Sequence, residues 1–174
     1  MTDEDVSRHV YVVGLMGAGK TTIGTQLATA LGRPYIDNDV ELRVQTGATA
    51  TDLARDGEVA LHSAEARYVE SLLAKPDSFV ASLPASIAGR PDLARAVNED
   101  GVVIYICATP ETLAARVATD PARPWLATDA RATLEAMFTA RHQVFVDFAD
   151  IVVNTDGQDP DDIVRELGAD IRTT

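Results

Sequence analysis

The sequence predicts an α/β fold, three layers deep as α/β/α, around a parallel sheet of about five strands. Two observations carry that expectation. Apolar runs of strand length alternate with amphipathic stretches at helical spacing, which is the rhythm of βαβ units. The runs VVIYICA (Val102 to Ala108) and DIVVN (Asp150 to Asn154) are apolar almost without interruption, as strands covered on both faces are. In chain order the strands are expected at His9 to Gly14, Pro34 to Asp37, Ser78 to Leu83, Val102 to Ala108 and Asp150 to Asn154. Between them Lys20 to Leu31, Gly57 to Leu73, Pro91 to Asn98, Pro110 to Ala118, Asp129 to Phe148 and Pro160 to Leu167 carry apolar residues at helical spacing. Thr109 before Pro110 and Asp159 before Pro160 are cap-then-proline helix openings.

With 174 residues, 46% of them hydrophobic, the chain is expected to form one domain over residues 1–174 with its own core. Residues 119–128, TDPARPWLAT, hold two prolines and read as a loop, of a length often used as a lid. The single cysteine, Cys107, sits in an apolar run and reads as a core thiol, which fits a reducing, cytoplasmic location. Nothing at the start resembles a secretory signal, and no apolar stretch nears the roughly 20 residues that span a bilayer. Fifteen basic residues against 27 acidic ones give a formal charge of −12, which repels a phosphate backbone and argues against nucleic acid as a partner.

Gly14-Leu-Met-Gly17-Ala18-Gly19-Lys20-Thr21 fits the GxxxxGK[ST] phosphate loop and stands where the mechanism requires it, between the strand HVYVV and the helix TTIGTQLATAL. Backbone N–H groups of such a loop, here Gly17, Ala18, Gly19 and on to Thr22, point at phosphate while the helix presents its positive end to the same charge. Lys20 is expected to neutralise phosphate oxygens of ATP, and the Thr21 hydroxyl to ligate magnesium (Mg). The chain has only one other lysine, Lys75.

At the end of the second strand, Tyr35-Ile36-Asp37-Asn38-Asp39 places two aspartates at the crevice where a parallel sheet binds its ligands. One reading turns Asp37 toward the metal and Asp39, as base, toward an acceptor hydroxyl. The other has one or both cap the following helix. Arg123, in the proline-bearing loop, can neutralise charge on a transferred phosphoryl group, and Arg141 can aim a guanidinium at a substrate carboxylate. Each arginine taken singly also fits an ordinary surface charge.

Taken together, GLMGAGKTTIG, YIDND, the TG followed by DGE and a further glutamate, ARPWL, and Arg141 followed by DFADIVVNT resemble the shikimate kinase family from about Val10 to Asn154. The resemblance implies a P-loop kinase fold with a lid and transfer of phosphate from MgATP to the 3-hydroxyl of shikimate. It implies that Lys20 and Thr21 hold phosphate and metal, that Asp37 places the metal and that Asp39 grips the hydroxyl. Arg123 corresponds to the lid arginine, Arg116 to a residue against the adenine and Arg141 to the arginine on the substrate carboxylate. A monomer is implied as well.

The departures fall on acceptor recognition. His62 stands where the family has a carboxylate-binding arginine, and it reads either as a weaker, pH-dependent cation or as a plain surface histidine. Pro84-Ala85-Ser86 replaces a triple glycine, so an N–H is lost and a Cβ gained. Phe145 replaces a tyrosine, and Ser86 and Arg90 are candidate replacement donors. Three functions follow: a shikimate kinase, a kinase for a different hydroxylated acid or polyol, or a nucleotide-binding regulator without turnover. Losses confined to the acceptor half favour a small-molecule hydroxylated acceptor other than shikimate over a dead enzyme.

Overall fold

The computed structural model describes residues 8–118 and 129–171, so the expected lid at 119–128, with Arg123, lies outside the described residues. Five strands, β1 (His9–Val13), β2 (Tyr35–Ile36), β3 (Val80–Ser82), β4 (Gly101–Cys107) and β5 (Ile151–Asn154), form one sheet in the order β2-β3-β1-β4-β5. Every pairing is parallel, with Val10 opposite Val80 and Val102, and Ile104 opposite Ile151. Parallel strands require long crossovers. These are supplied by α1 (Lys20–Leu31), α2 (Asn38–Thr46), α3 (Ala50–Arg55), α4 (Glu58–Leu73), α5 (Pro91–Asp100), α6 (Pro110–Val117) and α7 (Ala130–Phe148), while α8 (Pro160–Asp170) follows β5 and packs on α1.

The central strands are buried as their apolar sequence requires: β1 and β3 throughout, and β4 up to the half-buried Cys107. One expectation is corrected here. β5 pairs with β4 at the edge of the sheet, its residues alternate between half-buried and exposed, and Val152 is 47% exposed. An apolar run is therefore compatible with an edge strand that packs on one face only. Phe145 is also not part of an acceptor site: it is fully buried, with its ring 5.1 Å from that of Tyr105, and joins α7 to β4. Cys107 has its thiol pushed up mainly by burial, in keeping with a structural role.

Two helices had no place in the sequence reading. α2 is capped at its start by Asp37, whose side chain accepts from the N–H groups of Asp39 and Val40, and at its end by Gly47 in the left-handed conformation. α3 opens with a capping box between Thr49 and Asp52. A short turn of 3₁₀-helix, Ala85–Gly89, follows β3. All five strands run the same way, so the segments after β1, β2 and β3, and Thr155 after β5, gather along one edge of the sheet.

Candidate active site

The loop after β1 wraps over the start of α1. Gly19, the N-cap of α1, has φ +104°, a value that L side chains avoid. A Cβ on Gly17 would lie 2.9 Å from Val117 Cγ1 and 3.0 Å from the Leu113 carbonyl, so glycine lets the loop pack against α6. Lys20 Nζ donates to the carbonyls of Gly14 (2.8 Å) and Leu15 (3.2 Å) and is thereby folded over the loop. No acidic residue stands in the first turn of α1, so its positive end keeps its attraction for anions. Ala18 is buried beneath the loop, while Thr21 and Thr22 are exposed on the first turn of α1.

Arg116, on α6, reaches behind this loop. Its guanidinium donates to the Gly17 carbonyl (3.2 Å) and to the hydroxyl and carbonyl of Thr155 (2.9 and 3.1 Å). Thr155 is 4% exposed and its hydroxyl lies 3.3 Å from the Ala18 carbonyl, so it joins the end of β5 to the phosphate loop. Sequence reasoning missed Thr155; its one signal was its place at the carboxyl end of a strand.

Beside the loop, the Thr21 hydroxyl donates to Asp37 Oδ2 at 3.0 Å. The other oxygen of Asp37 accepts the capping N–H groups of Asp39 (3.0 Å) and Val40 (3.3 Å). The two sequence readings of this aspartate are therefore compatible: one oxygen holds the helix and the other faces Thr21. Tyr35, also missed, donates to Asp37 Oδ2 at 3.3 Å, and burial pushes its phenol up to about 12, so it stays a neutral donor. Thr21 and Asp37 offer hard oxygen ligands on the flank of a phosphate loop, a set that fits Mg²⁺ bound jointly with phosphates. Asp39 is exposed at the start of α2, with one oxygen 3.1 Å from Asn38 Nδ2.

Further along the same cleft sit His62, Glu65, Ser86 and Arg141, while Pro84 and Arg90 line a smaller chamber beside it. His62, on α4, is half-exposed, with Nε2 3.8 Å from Glu58. One turn on, Glu65 is 8% exposed and accepts a 2.5 Å hydrogen bond from the Ser86 hydroxyl. Burial raises its pKa, Asp39 adds to this, and Ser86, His62 and Arg141 oppose it. Glu65 thus meets four sequence-predicted residues, Asp39, His62, Ser86 and Arg141, and its signal in the sequence was the glutamate that follows DGE. Pro84 begins the 3₁₀ turn with φ −68°. Arg90 forms a two-pronged pair with Asp92 (2.8 and 3.1 Å), so its guanidinium is already engaged.

One cleft of about 1900 Å³ joins these groups. Along it lie Gly17 to Thr22 and Arg116, then Asp37 and Asp39, then His62, Glu65, Ser86 and Arg141. A family profile for shikimate kinase matches residues 16–172. The chain belongs to the shikimate kinase family. A shikimate kinase of Burkholderia pseudomallei is 36% identical over 157 residues, covering 89% of this chain and 85% of its own. One from Pelotomaculum thermopropionicum is 34% identical over 162 residues, covering 92% and 93%. Among solved structures, shikimate kinase from Acinetobacter baumannii in complex with shikimate superposes with a TM-score of 0.86 at 27% identity, covering 95% of this chain and 93% of that one. A gluconokinase from Sinorhizobium meliloti, at 18% identity and a TM-score of 0.62, shares the fold. The shikimate kinase family is one of ATP-dependent small-molecule kinases, and the expected P-loop kinase fold is present. Among the described residues no helix is long and apolar enough to cross a membrane.

Proposed function

We propose that this protein, as a single-domain monomer, transfers the γ-phosphate of MgATP to a hydroxyl of a small shikimate-like acid, and that shikimate itself is handled less well than in its relatives. The observation that carries this reading is the continuity of the cleft from the phosphate loop through Asp37 and Asp39 to His62, Glu65 and Arg141. When bound, MgATP would supply the phosphoryl group, with the magnesium offsetting phosphate charge. The loop N–H groups of Gly17 to Thr22, with Lys20, hold the phosphates, and Thr21 and Asp37 hold the metal. Asp39 orients the acceptor hydroxyl and takes its proton late, because phosphoryl transfer depends chiefly on positioning. Arg141 faces the acceptor carboxylate, with His62 as a weaker cation beside it. Arg116 braces the nucleotide end through Gly17 and Thr155, and Arg123 is assigned to the transferring group by sequence resemblance. A charge of −12 sets the protein against nucleic acid as partner.

The nucleotide half of this reading is tested by thermal unfolding with MgATP. A ligand at about 100 times its Kd stabilises the native state by about 2.7 kcal/mol, so the melting temperature is expected to rise. Lys20→Ala is expected to abolish the rise. A wild-type melting temperature unmoved by saturating MgATP contradicts the reading.

A further inference from the structure

The two departures on the acceptor side, His62 and Ser86, come from distant parts of the chain and meet at one carboxyl group. Ser86 hydrogen-bonds Glu65 at 2.5 Å, and His62 on the preceding turn of α4 lies within its electrostatic reach. Glu65, Ser86, His62 and Arg141 also form a shared wall between the main cleft and a side chamber of about 280 Å³ floored by Ala66, Val69, Ile87 and Leu93. A hydroxyl has one proton and two lone pairs. With its proton directed to Glu65, Ser86 retains lone pairs for a ligand, and the carboxylate beside it is an acceptor too. Pro84, two residues before, brings no N–H to this corner.

We propose that Ser86 is a specificity-determining residue: by giving its proton to Glu65, it makes this corner a pair of hydrogen-bond acceptors that selects ligands presenting a hydroxyl or ammonium donor there. The assignment rests on the kinase reading above. A ligand lacking that donor leaves the Ser86 oxygen desolvated with its lone pairs unmatched beside a carboxylate, which is the asymmetry by which buried polar groups reject analogues. Arg141 holds the ligand's carboxylate and Asp39 its reacting hydroxyl, so the selected donor is a further group on the same molecule.

The test measures binding to the MgADP-loaded protein by calorimetry, with shikimate, analogues each lacking one hydroxyl, and an analogue carrying an ammonium in place of one hydroxyl as probes. Wild type is expected to bind at least one deoxy analogue roughly tenfold more weakly than its parent. Ser86→Ala is expected to reduce that ratio about five- to tenfold. Ser86→Thr, which keeps the hydroxyl, is expected to preserve it, with MgADP affinity unchanged in both variants. A ratio unchanged in Ser86→Ala, Ser86→Thr behaving like Ser86→Ala, or no binding of any probe overturns the assignment. ADP release measured in parallel separates the two claims. Ser86-dependent discrimination without ADP release defeats the kinase reading alone, whereas ADP release with discrimination indifferent to Ser86 defeats the specificity assignment alone.

Discussion

Glu65 illustrates how one residue can be costly to the fold and useful to the site. Its carboxyl is raised above its ordinary value of 4.5 chiefly by burial, so the native state holds this proton more firmly than the unfolded chain does. Native protein then binds more protons than unfolded protein as pH rises from 4.5 through the raised value, and stability falls across that window. Above it the loss is complete. Glu65→Gln, whose amide oxygen still accepts from Ser86, is therefore expected to melt higher than wild type near neutral pH. The gap should close as pH drops below 4.5. Thermal unfolding across pH checks this, and a gap that is constant with pH contradicts the assigned cause. Activity is expected to fall in the same variant, because the carboxylate proposed for the acceptor wall is lost.

At the scale of elements, α2 is the piece that brings the aspartates to the phosphate loop, and its stability is tied through Asp37 to the corner proposed for the metal. Asn caps a helix about as well as Asp, whereas Ala forfeits about 1 kcal/mol. Asp37→Asn is thus expected to leave stability without ligand nearly unchanged while weakening magnesium dependence, and Asp37→Ala to lose both. Unfolding curves with a Mg²⁺ titration of nucleotide binding separate the effects. Asp37→Asn with wild-type magnesium dependence would remove the metal assignment. α2 and α3 were hidden from periodicity because they are short: Leu42 is the one fully buried apolar side chain of α2, while Val40 and Val44 are exposed. Their cap signals, Asp37 with Gly47 and Thr49 with Asp52, were the legible trace. Gly24 shows a related limit. It closes the motif GLMGAGKTTIG, but only the packing of α1 against β2 explains it: a Cβ there would overlap the Tyr35 ring that supports Asp37.

Across the whole molecule, alternation of strand and helix signals was enough to read a parallel sheet, and the position of the phosphate loop oriented its functional edge. Strand order was not legible, since periodicity carries no information on which strands pair, and so β5 read as a covered strand although it lies at the edge. The phosphate-loop motif was legible because its residues, Gly14 to Thr21, are contiguous in sequence, whereas Thr155 behind it was not. On the acceptor half the link between Ser86 and Glu65 spans 21 residues and exists only after folding. The central claim, a shikimate-like small-molecule kinase with an altered acceptor wall, is tested most directly by initial rates of ADP release from MgATP against a panel of shikimate, related cyclic acids, sugar acids and polyols. The account predicts acceptor-dependent release that disappears in Asp39→Asn, with kcat/KM for shikimate below about 10⁴ M⁻¹ s⁻¹ and a higher value for another hydroxylated acid. Release that no member of the panel stimulates, or shikimate as the best acceptor at or above that rate constant, would contradict it.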